Sequence, residues 1–187
     1  MERNPGEDEQ STPERREDLH INSIVIPADD EQPLQQNELL TGGLADRQQL
    51  VGGFIQAVNL GEPPGRLYFN EDGKQMGLPP NKRATLLLWV HNPAFRHQDL
   101  IVGDALVVGP VGRWSTDTSA PDEYVRALFE ATGFHVEVRP YGDAEWHEHP
   151  ERFDDWIQAY EHAVGWSTGL GSGQERHLAA VRVVPEA

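Results

Sequence analysis

Between Leu67 and Thr85 the chain writes a strand, a turn and a helix start in close succession. The apolar run Leu67-Tyr68-Phe69 ends in Asn70-Glu71-Asp72-Gly73-Lys74, the residue types of a tight turn. Gly77-Leu78-Pro79-Pro80 follows, and its two prolines fix φ and keep the residues before them extended. Asn81 then stands where a helix N-cap belongs, ahead of Lys82–Val90, although Leu86-Leu87-Leu88-Trp89 fits a buried strand as well as a helix. Such order marks a folded core, not a linker. Gly73 is expected at φ > 0 in a hairpin-type turn. Asn70, Glu71, Lys74 and Asn81 are the polar side chains this block offers for binding, although architecture explains them more simply.

The neighbouring segments extend the pattern. Ile21-Asn22-Ser23-Ile24-Val25-Ile26-Pro27 is a β-branched run closed by proline, and Asp29-Asp30-Glu31-Gln32-Pro33 a polar connector. Asp46 to Val51 reads as a short helix stopped by Gly52-Gly53. Phe54 to Leu60 alternates as a half-buried strand, and Gly61-Glu62-Pro63-Pro64-Gly65 turns it toward the next. Leu100 to Gly109 is β structure broken by a Gly103-Asp104 bend.

Residues 21–110 resemble a domain-of-unknown-function family of phages, actinobacterial genomes and mobile elements. The resemblance rests on the Ile-Val-Ile-Pro opening, Val51-Gly52-Gly53 before an aromatic strand, a block of the form N-E-x-G-K-x-x-G-L-P-x-N-x-x-A-T and the Gly-Asp strand. It implies no known activity. One departure is Gln56, where sequences of this kind usually carry glutamate.

The remaining half reads as helices and strands without regular alternation. Gly112 to Ser119 is expected to be a linker. Pro121 to Ala131 is an amphipathic helix with two acids in its first turn, and Gly133 ends it. Phe134 to Arg139 alternates as a strand, Asp154 to Val164 is a second amphipathic helix, and Ala179 to Val184 a terminal strand. The fold class expected is α+β: a mixed sheet with short packing helices, followed by a helix-strand-helix-strand half. The expected division is a disordered acidic tail over 1–19, an α+β core over 20–112, and an extension over 113–187 packed on or linked to it.

Charge narrows the partners. The 187 residues carry 31 acidic and 15 basic side chains, a net of -16, and residues 1–18 hold -4 of it. A surface of that sign repels a phosphate backbone, so direct nucleic-acid binding is not expected. A basic protein is the electrostatic complement, as for an acidic DNA-mimic decoy, although acidity also serves solubility alone. The absence of cysteine excludes disulfides, thiolate metal sites and cysteine catalysis. No apolar run approaches the roughly 20 residues of a membrane span, and a cytoplasmic location is expected.

For chemistry, Trp146-His147-Glu148-His149 is the best arrangement. On an extended backbone His147 and His149 share a face and could hold one metal with Glu148, given a third ligand from His135, His162 or His177. The bland reading is a polar surface loop. Gly169 to Gln174 follows a helix and opens a strand, the reverse of a phosphate-cradling loop, and is read as a connector. Trp156 and Tyr160, four apart on one helix, belong to the core. Trp114 and Trp146 are harder to bury, which makes them binding hot-spot candidates. No cofactor is implied. These features favour a non-enzymatic accessory protein that binds another protein, and the resemblance implies one of phage or mobile-element type. The alternative is a metal-dependent hydrolase or small-molecule-binding protein built on His147, His149 and Glu148.

Overall fold

The computed structural model describes residues 20–113, 115–167 and 178–186. The expected tail, Trp114, the Gly169–Gln174 connector and His177 lie outside the described residues. Within them the chain is mixed α+β, with two antiparallel sheets and four helices.

The first sheet has the order β2-β1-β5-β4-β3, built from β1 (His20–Ile26), β2 (Gln35–Leu40), β3 (Ile55–Leu60), β4 (Gly65–Asn70) and β5 (Ala105–Val108). Its strands alternate strictly between faces. Ile24, Ile26, Leu67, Phe69, Ala105 and Val107 point one way, into a core shared with helix α2 (Lys82–His91). Ile21, Val25, Tyr68, Leu106 and Val108 point the other way, under helix α1 (Leu44–Val51). β2 has no counterpart in the sequence reading. Only Leu39 of its six residues is buried, so its composition is that of a loop, and backbone pairing with β1 makes it a strand.

The Leu86–Trp89 ambiguity resolves as helix. α2 buries Arg83 through Leu88 and Val90, because it is enclosed between the first sheet and helix α4 (Trp156–Ser167). Asn81 is its N-cap: its Oδ1 accepts the Ala84 N–H at 2.9 Å. α1 ends at Gly52, whose φ of 72° is the left-handed conformation a helix C-cap favours.

Gly73 departs from expectation. Its φ is not positive; Gly77 (69°) and Gly103 (72°) take that conformation instead. The chain leaves β4 for α2, so no hairpin turn is needed at Gly73. What glycine provides there is space, since a Cβ would stand 2.9 Å from Val102 Cγ2 and 3.2 Å from the Asn70 carbonyl oxygen.

Helix α3 (Asp122–Val125) continues into a π-widened turn, Arg126–Glu130. Beyond it, β6 (Gly133–Pro140) pairs with β7 (His147–Phe153) on one side and β8 (Leu178–Glu186) on the other. α4 starts at a side-chain cap, with Asp155 Oδ1 accepting the Ile157 and Gln158 N–H groups at 2.6 and 3.2 Å. It buries Trp156, Ala159, Tyr160, Ala163 and Val164. Phe134, Val136, Tyr160 and Val181 join Leu86, Leu87 and Val90 in one apolar cluster, so the later elements share the core of the first sheet.

The segment expected to link the halves is anchored. Val111 bridges Asp117, and Asp117 is buried against Arg47 (3.1 Å), Arg66 (3.2 Å) and the Tyr68 hydroxyl (2.9 Å). A serine- and threonine-rich composition reads as tether, and nothing local reveals that one aspartate finds two arginines on distant elements.

Candidate functional site

The polar residues of the Asn70–Thr85 block are mostly occupied by the fold. Asn70 is buried; its Nδ2 donates to the Gly52 carbonyl at 3.0 Å and its Oδ1 accepts the Asp72 N–H at 2.9 Å. Asn81 is fully buried, and besides capping α2 its Nδ2 donates to the Ile26 and Gly103 carbonyls at 2.8 and 2.9 Å. Lys74 pairs with Asp99, and Glu71 is exposed on the same loop. With the amides so fully engaged, this block ties β4 to the end of α1, and α2 to β1 and the approach to β5.

The histidine group separates. His147 Nε2 contacts Asp143 at 2.7 Å, and Glu148 pairs with Arg152. His149 instead meets α4, where its ring lies 4.9 Å from both His162 and Trp166. Three potential metal ligands converge there: His149, Glu151 and His162. The His162 hydrogen bonds define its tautomer. Trp166 Nε1–H donates to His162 Nε2 at 2.5 Å, so Nδ1 carries the proton and faces Glu151 at 3.3 Å. Binding a cation through Nδ1 would move that proton to Nε2, against the indole N–H. The cluster fits a metal only if Trp166 lets go.

A different set of side chains surrounds a cavity of about 650 Å³, a size suited to a ligand or a short chain segment. It lies between the C-terminal end of α2, helix α3 and strand β8. At its floor His91 Nδ1–H donates to the Glu62 carbonyl at 2.7 Å, and His91 Nε2 accepts the Tyr160 hydroxyl at 2.8 Å. Burial pushes the His91 imidazole down to about 4, against the smaller opposing pull of the Glu62 carbonyl. Tyr124 stands edge-on to His91 at 5.0 Å and donates to the Pro63 carbonyl at 2.7 Å. Burial raises both phenols well above the ordinary tyrosine range. The floor is therefore neutral near pH 7, with each of these polar groups hydrogen-bonded.

The rim carries more cations than anions. Arg126, Arg139 and Arg182 line the cavity, with Glu62 and Glu123 also present. The indole of Trp146 has the Arg139 guanidinium 4.9 Å from its ring centre and that of Arg182 at 4.3 Å. Glu137 holds Arg182 through Nε at 2.6 Å and Nη2 at 2.5 Å. Arg126 makes no side-chain hydrogen bond or ion pair among the described residues.

Among the described residues, Trp146 is the one binding or metal candidate from the sequence that lines this cavity, and Tyr160, assigned to the core, lines it too. His91, Tyr124, Arg126, Arg139 and Arg182 were not legible as a group, because they come from two helices, the π-widened turn and two strands far apart in the chain. One local signal existed: Glu137 and Arg139 fall on the same strand face.

A family profile described as a domain of unknown function, DUF3846, matches residues 21–132, and the chain belongs to that family. No curated protein and no solved structure matches it. The matched region reaches beyond β5 through α3. It thus supplies Glu62, His91, Tyr124 and Arg126 to the cavity, while Arg139, Trp146, Tyr160 and β8 come from beyond it.

Proposed function

We propose that this DUF3846 chain is a non-enzymatic, protein-binding domain whose partner surface is the cavity bounded by α2, α3 and β8. One observation carries the reading: in a chain of net charge -16, three arginines against two glutamates line one apolar-walled cavity, an excess of cations where the whole chain has an excess of acids. Cations gathered against the overall sign of a protein favour an anionic partner there. The neutral His91–Tyr160 floor supports binding over catalysis, since a phenol raised by burial and an imidazole pushed down to about 4 make a poor acid–base pair near pH 7. The role is that of an accessory protein, of the phage or mobile-element type that the Asn70–Thr85 block resembles.

A decoy for DNA-binding proteins would use the acidic surface instead. Several acids are already engaged locally, as with Asp99 and Lys74, and Glu161 and Lys82. We therefore place the binding function at the arginines. The test is binding to an array of acidic, neutral and basic peptides, comparing the parent with Arg139→Glu/Arg182→Glu and with Lys74→Glu as a control elsewhere. Acidic peptides should bind the parent, weaken at least tenfold in the double variant and weaken with added salt. Equal binding by parent and double variant, or a preference for basic peptides, would contradict the proposal.

A further inference from the structure

The cavity touches both faces of the second sheet. Val138 lies opposite Val181, and Val136 opposite Val183, with Val136 and Val181 in the core beside α4. Arg139 and Arg182 belong to the opposite face, where both contact Trp146. Yet Tyr160 and His91 on the core side and Arg139, Trp146 and Arg182 on the outer side line a single cavity. Among the described residues β8 pairs with β6 alone, which leaves its other edge as a route for a space that reaches both faces. The lining agrees, because it takes in Ala180 through Pro185 without a gap, where a cavity on one face would meet alternate residues.

A free edge carries unpaired N–H and C=O groups, which an extended segment can pair by adding as a strand. Resting on the reading of this cavity as the partner site, we propose that its occupant is an extended acidic peptide segment that adds to β8 as a fourth strand of the second sheet. Ala180 to Pro185 covers about 17 Å of edge, room for five or six residues at about 3.3 Å each. Pro185 has no N–H and marks the end of the ladder.

The same geometry sets the side-chain pattern. Residues opposite each other on paired strands share a face. Positions beside Val181 and Val183 point toward Tyr124 and Tyr160 and take apolar side chains. Positions beside Ala180, Arg182 and Val184 point to the outer face and take carboxylates next to Arg139, with Arg182 beside them in its pair with Glu137. Glu62 and Glu123 line the cavity as well and disfavour a second acid near them. The segment therefore alternates acidic and apolar residues.

The probe is a fluorescently labelled hexapeptide of alternating glutamate and valine, followed by anisotropy against the full chain. Two analogues carry backbone N-methyl groups on odd or on even residues, and a third has the same composition in blocks. Strand addition places alternate N–H groups against β8, so one N-methyl analogue should lose binding at least tenfold while the other retains it. The block peptide should bind at least fivefold more weakly than the alternating one. Arg182→Glu, with melting temperature unchanged, should weaken the parent peptide. Equal binding of both N-methyl analogues to that of the parent would overturn strand addition, and so would failure of the parent peptide to bind at millimolar concentration. If peptide binding persists unchanged in Arg182→Glu and in Arg139→Glu/Arg182→Glu, the cavity reading itself fails.

Discussion

Replacing Asp117 with alanine removes the centre of a charged network held inside the molecule. The aspartate and Arg47 side chains are only 6% and 5% exposed, and the Arg47 guanidinium approaches the carboxylate at 3.1 Å. Arg66 adds a contact at 3.2 Å and the Tyr68 hydroxyl donates at 2.9 Å. Burial is the first cause that raises the Tyr68 phenol, with the Asp117 hydrogen bond second, so tyrosine remains the donor. Breaking a buried ion pair by deleting one partner costs about 3–5 kcal/mol, because the other charge stays buried. Arg47 keeps the carbonyls of Gly43 (2.9 Å), Leu40 (3.3 Å) and Thr41 (3.3 Å), which places the loss near the lower end. The Tyr68 hydroxyl keeps the Arg66 guanidinium as a donor at 3.1 Å but loses the acceptor for its own proton, which adds about 1 kcal/mol. The sum is about 4 kcal/mol, or roughly 8–16 °C in Tm for a chain of this size. Asp117→Asn keeps an acceptor for Tyr68 and should lose about half as much. Thermal unfolding by circular dichroism measures both. If Asp117→Ala melts within 2 °C of the parent, the residues around it form the tether that composition suggests and the buried network contributes nothing.

The other expectations concern the architecture around the cavity. Asn81→Ala loses the α2 cap and strands the Ile26 and Gly103 carbonyls, for about 2–3 kcal/mol by urea denaturation. Loss of peptide binding without loss of stability would instead make Asn81 a contact residue. Gly73→Val should cost about 1–3 kcal/mol through overpacking against Val102, read as a lower midpoint in the same assay. His91 titrates near 6.5 in the unfolded chain and at about 4 in the fold, so between those values the unfolded state binds the extra proton. Its contribution is present above pH 6.5 and is lost as the pH falls toward 4. From pH 7 to pH 4.5 the parent should lose about 2 kcal/mol more than His91→Phe, and parallel profiles would refute the neutral imidazole.

Much of the fold was legible because its signals are local. The Pro79-Pro80-Asn81 entry to α2, the Gly52 stop of α1 and the alternation of β4 and β6 each follow from a few consecutive residues. β2 escaped because an exposed edge strand needs no apolar pattern, and Asp117 because a buried ion pair is assembled from elements remote in sequence. The histidines show the same limit from the other side. Spacing alone groups His147 with His149, but the register shift between β6 and β7 and the proximity of α4 put His149 beside His162 and leave His147 with Asp143. The cavity was less legible still: its arginines are ordinary solvent-face residues until β8 folds beside α3.

The most direct test of the binding account is backbone hydrogen exchange of the full chain with and without the alternating glutamate–valine hexapeptide. The account predicts slowed exchange concentrated at residues 180–184, the free edge of β8, with little change at 147–153 on the opposite edge. Protection centred on His149, Glu151 and His162, or no added protection of β8 at saturating peptide, would contradict it.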